Sequence, residues 1–305
     1  MPRIRSMHWK ERLALALMAA MAAGAAGCGS VSSWTGKGGD SQLRSALTFH
    51  ASFDRGTDAD YATGDPWIYQ APTMDRIQEA KPGLPAGDLV KVVSGEGRHG
   101  GALRYARKSE AIVFFKGKDN VPWVAQEWGG TISFWLRTDF KELADGYTDP
   151  MQVTTRAWND AAIFAEFEKR TNGVPFRLGA YADFKVWNPK NRDWGTIPKP
   201  ELPLITVNGP PFAGDRWTHV AITWEKFNTG KAEGDATLYL DGVAIATIRD
   251  RTQTFTWNPA DIRLMLGVGY VGWIDEVAVF RRSLTPDEIQ KIRNLPQGIR
   301  SLLRR

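Results

Sequence analysis

Cysteine appears once in 305 residues, as Cys28, so no intrachain disulfide can brace the fold and an apolar core must do so. Histidine is almost as scarce, with four in the chain. There is no His-x-x-x-His pair, no Gly-x-Ser-x-Gly elbow and no phosphate-cradling glycine loop. Those absences remove the common zinc-hydrolase, serine-hydrolase and nucleotide-binding readings. The longest apolar run, Leu13 to Ala26, is shorter than the roughly 20 residues a bilayer span needs. Helical periodicity is missing ahead of Pro286.

That apolar run has a different meaning at its place in the chain. Arg3, Arg5, Lys10 and Arg12 precede it, and Ala25-Ala26-Gly27-Cys28 ends it with small residues and a cysteine. This is the pattern of an exported, lipid-modified protein, with residues 1–27 as signal peptide and Cys28 as the acylated residue. A bacterial cell-envelope lipoprotein, held in a lipid bilayer through Cys28, is the expectation. The outer membrane is favoured, because Gly29 stands where an inner-membrane retention signal would place Asp. Residues 28–45 are small, polar and glycine-rich and read as a flexible tether. One domain follows over residues 46–296, and residues 297–305 read as a frayed basic tail.

Charge weighs against nucleic acid. The net formal charge of +5 is concentrated at the two ends. Removing the signal leaves 35 basic against 33 acidic residues, and five of the basic ones lie in the last fifteen positions. A folded basic face, which nucleic acid requires, is not visible.

Between the ends, short runs of β-branched and aromatic residues alternate with turn residues and without intervening helices. Asp241-Gly242, between two alternating runs, is a two-residue hairpin turn. Trp273 to Phe280 reads as a strand buried on both faces. Thr285, Pro286, Asp287 and Glu288 then supply a cap, a first-turn proline and favourable charges for a short closing helix. Many short strands of this kind make a sandwich.

Four stretches carry a family resemblance. They are LTFHASFD (Leu47 to Asp54), TISFWLR (Thr131 to Arg137), WTHVAITW with TLYLDGV (Trp217 to Val243), and GWIDEVAVFRRSLT (Gly272 to Thr285). In this order they resemble laminin-G-like jelly-roll domains of the concanavalin A-like superfold. The resemblance implies an all-β jelly-roll β-sandwich with a short C-terminal helix. It also implies one structural calcium, with Asp54 and Asp275 as ligands and Asp58 or Asp60 beside them. Calcium takes six to eight oxygen ligands, and a carboxylate on the doubly buried strand needs a partner or a metal.

Two further groups of residues are candidates for function. Thirteen tryptophans are many for this length. Trp135, Trp217, Trp224 and Trp273 fall on strands and read as packing. Trp187 and Trp194, with Asn191 and Arg192 between them, form a candidate platform for sugar rings, or alternatively pin their long loop to the sandwich. Glu166 and Glu168 lie two apart on a strand, the separation of a glycosidase acid pair; a solvated strand edge is the plainer reading. A non-catalytic domain binding a glycan or an envelope protein leads. A structural envelope module and a glycan-cleaving enzyme are the alternatives.

Overall fold

The computed structural model describes residues 37–304; the expected signal peptide and Cys28 lie outside them. The chain enters through a helix, α1 (Lys37–Ala46), and then runs almost entirely in strands. The first seven are β1 (Leu47–Ala51), β2 (Tyr61–Ala62), β3 (Ile68–Ala71), β4 (Lys81–Pro82), β5 (Val90–Val93), β6 (Ala102–Tyr105) and β7 (Ile112–Lys116). Long central strands follow: β8 (Trp128–Arg137), β9 (Gly146–Thr154), β10 (Ala162–Lys169) and β11 (Phe176–Tyr181). After a one-turn helix, α2 (Phe184–Trp187), come β12 (Leu204–Val207), β13 (Thr218–Phe227), β14 (Ala232–Leu240) and β15 (Val243–Thr252). The chain closes with β16 (Arg263–Val268), β17 (Gly272–Phe280), α3 (Pro286–Arg293), β18 (Pro296–Ile299) and α4 (Arg300–Leu303).

Two antiparallel sheets result. One has the order β15-β14-β13-β8-β17-β1-β2, with β6 also on β17 and β5 on β6; the other runs β12-β11-β10-β9-β16-β7-β3-β4. The neighbours β8 and β17 are far apart in sequence, as are β9 and β16, which is the crossing connectivity of a jelly roll. The β14–β15 hairpin closes at Leu240↔Val243, with Asp241 and Gly242 both at positive φ, as its two-residue turn requires.

Between the sheets lies the core, where Phe49 of β1 meets Phe115 of β7 with ring centroids 4.7 Å apart. At one end Trp128 packs edge-on against Trp224, Phe227, Phe255 and Trp257. Trp128 and Trp257 therefore belong to the core.

The outer faces of the two sheets are treated differently, and this decides where a ligand can go. On the first sheet, Ala221, Tyr239, Ala278 and Phe280 are covered by Leu43 and Ala46 of α1, Ile289 and Ile292 of α3, and Ile299 and Leu302 near the C-terminus. A capping box holds α3, the Thr285 hydroxyl accepting from Glu288 N–H and the Glu288 carboxylate accepting from Thr285 N–H. On the second sheet, Ile77 and Ala80 cover Ala71, Ile112, Phe114 and Met265 at one side, and Trp187 of α2 covers Ala162, Phe164 and Tyr181 at the other; between them its outer face is left open along β9, β10 and β16.

Two expectations need correction, and one strand has a local irregularity. Lys37 to Ala46 is helical rather than part of a flexible tether, because Leu43 and Ala46 find an apolar sheet face. The C-terminal segment is docked rather than frayed: Ile299 and Leu302 are buried, and Ile299 N–H donates to Glu276 at 2.7 Å. Within β17, a bulge between Asp275 and Ala278 interrupts the strict alternation of faces, and Glu276 takes a left-handed φ of 52°. Asp275 and Glu276 are consequently both buried.

Candidate functional site

A groove of about 740 Å³ runs over the open face of the second sheet. Its floor comes from outward-facing residues: Asp149 and Gln152 on β9, brought to one face by the bulge opposite Ala165 to Phe167; Phe164 and Glu166 on β10; Arg177 on β11; and Met265 on β16. Gly179 is opposite Phe164 in the β10–β11 register, and a Cβ there would come within 2.2 Å of the Phe164 ring. The ring can lie flat across β11 only because position 179 is glycine. Aromatic walls rise at both ends: Trp158 and Trp194 on one side, Tyr147 on the other.

Exposure singles the groove out. Among the described residues, seven large apolar side chains are exposed, and four of them, Met74, Tyr147, Trp158 and Trp194, line this groove. Tyr147 is 54% exposed, Trp158 44% and Trp194 37%. Trp158 and Trp194 are edge-to-face, 5.1 Å between centroids, and both rest on the buried Tyr181.

The floor is polar and charged but internally braced. Arg177 donates from Nε to Glu166 at 2.8 Å, again from Nη2 to the same oxygen, and from Nη1 to Glu168 at 3.1 Å. Arg170 completes the set from outside by pairing with Glu168. The Arg177 guanidinium also lies 4.8 Å from the Tyr147 ring centroid, a cation–π contact that holds the tyrosine upright. Glu166 and Glu168 are thus buried in mid-sheet and paired, not on a solvated edge, because β10 lies between β9 and β11. Burial raises Glu166 above the usual carboxylate range, with Arg177 opposing. Asp149 is raised well above it, by burial first and then by the Glu166 charge.

The structure separates the four residues of the expected sugar platform. Trp194 reaches the groove wall. Trp187 lies behind it, 5.0 Å from the Tyr181 ring, with its indole N–H donating to Asn159 C=O. Asn191 sits in a left-handed turn and Arg192 pairs with Glu201 at 2.6 Å; neither lines the groove. Sequence reasoning favoured Trp187 over Trp158 among the loop tryptophans, and missed Tyr147, Asp149, Gln152 and Arg177. The cross-strand partnership of Glu166 with Arg177 was the signal available, an acid and a base at facing positions of two adjacent strand patterns. A second cleft, of about 590 Å³, is lined by Arg104, Arg137 and Trp273. Its two arginines are already paired, with Glu142 and Glu96.

The laminin-G family model described as the concanavalin A-like lectin/glucanases superfamily matches residues 119–290. The chain belongs to this superfamily. No curated protein matches it in sequence. Among solved structures, the binding domain of botulinum neurotoxin DC in complex with rat synaptotagmin II is similar at TM-score 0.52 and 13% identity, covering 83% of this chain and 52% of that one. The same toxin's binding domain in complex with SialylT gives 0.51 and 14%, with 83% and 52% covered. Domain 4 of an extracellular arabinanase from Geobacillus stearothermophilus, in complex with arabinotriose, gives 0.49 and 16%, with 80% and 97% covered. The chain spans about half the length of the neurotoxin chains. At these identities the likeness to the two neurotoxin binding domains shows a shared fold alone.

The calcium that this superfamily resemblance implies does not fit the side chains present. Asp275 is fully buried, and its oxygens accept from His99 N–H at 3.1 Å and Glu276 N–H at 2.7 Å. Asp54 accepts from Gly101 N–H at 2.7 Å and pairs with Arg300 at 2.5 Å. Asp60 takes Ser52 N–H at 2.8 Å and faces the same guanidinium at 3.8 Å. Asp58 accepts from Ile68 N–H at 3.2 Å. Among the described residues, no three acidic, histidine or cysteine side chains form a metal set. The cation between Asp54 and Asp60 is Arg300, supplied by the C-terminal segment that the sequence left as a solvated tail.

Proposed function

We propose that this chain is an envelope-anchored lipoprotein whose jelly-roll domain binds carbohydrate, without cleaving it, in the groove on its open sheet. One observation carries the binding reading: three of the four exposed aromatic side chains among the described residues, Tyr147, Trp158 and Trp194, line one groove whose floor is polar. Aromatic faces cover the apolar faces of sugar rings, and fixed amides and carboxyls bond the hydroxyls at their edges. The two hydrogen bonds that one Glu166 oxygen accepts from Arg177 support a positioning role rather than acid–base work. Anchoring rests on the Ala-Ala-Gly-Cys28 pattern alone; no helix among the described residues is long and apolar enough to cross a membrane.

A glycan array probed with the purified protein tests the binding reading. A defined bound set, lost in Trp158→Ala/Trp194→Ala with the melting transition retained, supports it. A blank array refutes it and moves the weight to a protein partner. Metabolic labelling with palmitate, compared with Cys28→Ser, tests the anchor.

A further inference from the structure

The polar floor of the groove holds two groups that the protein itself leaves unanswered. Gln152 is 5% exposed, and among the described residues its side-chain amide has no hydrogen-bond partner. The amide is not sealed from solvent, so a ligand hydroxyl can reach it from the groove. Asp149, three residues away along β9, accepts no hydrogen bond either, and both side chains line the groove. The bulge in the β9–β10 pairing between Ala165 and Phe167 sets Asp149 across from Glu166, whose Oε1 is taken by Arg177.

The charges around this pair are arranged against an anionic ligand. Arg177 is committed to Glu166 and Glu168. Arg156 is committed to Asp160 and Asp183, at 3.4 and 2.7 Å. Lys108 is the one lining cation without a carboxylate partner among the described residues, and Glu110 stands beside it on the same rim. Of the titratable groups in the groove, Glu166 from β10 and Arg177 from β11 act on Asp149; Asp75, Lys108, Glu110, Tyr147 and Arg156 line the same groove. On β16 Asp149 faces Val268, which carries no charge.

We infer that Asp149 and Gln152 form the specificity subsite of the groove, reading adjacent hydroxyls of a neutral glycan. This rests on the groove being the glycan site. Enclosure beside Glu166 favours a neutral, hydrogen-bond-donating Asp149 carboxyl, and a carboxylate there would be acceptor-only. Binding is then linked to one proton. Affinity is flat at low pH and falls by at most about tenfold per pH unit once Asp149 ionises.

The test is a glycan array carrying neutral and uronate- or sialate-bearing glycans, read between pH 5 and pH 9. It uses the wild type, Asp149→Asn, Gln152→Leu and Trp158→Ala/Trp194→Ala, each checked for its melting transition. Expected are a bound set of neutral glycans and wild-type signal falling as pH rises. Asp149→Asn, which keeps a donor, should bind with no pH dependence, and Gln152→Leu should bind at least tenfold more weakly. A bound set dominated by acidic glycans overturns the inference. So does an unchanged pH profile in Asp149→Asn. Loss of binding in the tryptophan pair with neither floor variant affected overturns this subsite while leaving the groove reading intact; a blank wild-type array overturns both.

Discussion

Replacing Arg177 with methionine should be one of the most damaging single changes in the groove. Its side chain is 10% exposed, and the carboxylates it serves, Glu166 and Glu168, are 7% and 6% exposed. Methionine fills similar volume, so packing is nearly conserved and the effect isolates charge. Removing one partner of a buried ion pair costs about 3–5 kcal/mol, because the other charge is left uncompensated. Arg170 still reaches Glu168 from the exposed side, which places the expected loss near the lower figure. For a domain of this size that is a fall of roughly 6–12 °C in Tm. The sign of the pH dependence follows from Glu166, whose folded-state pKa is already raised by burial. Stability linked to such a group is fully present below the unfolded pKa and lost as pH rises through the folded one. Without Arg177 that loss deepens, so the variant should differ least from wild type near pH 4 and most at pH 8. Urea denaturation at both pH values measures it. The triple variant Glu166→Gln/Glu168→Gln/Arg177→Met should recover much of the loss, since no buried charge remains. A destabilisation under about 1 kcal/mol at pH 8, or one larger in acid than in base, would refute the reasoning.

Other consequences are open to direct measurement. His219 is buried, with its Nε2 2.9 Å from Ser133 Oγ, and burial holds its pKa down to about 3. Stability should therefore fall by up to about 1.4 kcal/mol per pH unit as pH drops from about 6.5 towards 3, and His219→Gln should flatten that slope in acid denaturation. Trp128→Ala, which empties the hub of four aromatic contacts, should cost about 3–5 kcal/mol by chemical denaturation; a loss under 1 kcal/mol would mean the hub is not tightly packed. Arg300→Ala should destabilise by about 1–3 kcal/mol by leaving Asp54 and Asp60 without their cation. Calcium and chelator should leave the wild-type Tm unchanged, whereas a calcium-dependent rise in wild-type Tm would restore the metal reading.

The sequence by itself determined the class of fold and much of its punctuation. Short β-branched runs, the Asp241-Gly242 turn and the Thr285 to Glu288 cap are local signals, each fixed by backbone sterics or by hydrogen bonds within a few residues. Each stands in the structure where the residues placed it. The doubly buried character of β17 was legible for the same reason, since an unbroken apolar run has no solvent face to offer. Local pattern could not say which charged residues would meet. Glu166 and Glu168 look like a solvated edge until β9 and β11 close on both sides of their strand and Arg177 arrives as partner. Asp54 looks like a metal ligand until the last turn of the chain, 246 residues on, brings Arg300 to it. Trp194 was visible as a candidate, but Trp158, Tyr147, Asp149 and Gln152 join it only because the strip over β9, β10 and β16 stays uncovered on the second sheet. Which face stays open depends on where α1, α3 and the C-terminal segment find apolar surface, and only the packed chain decides that.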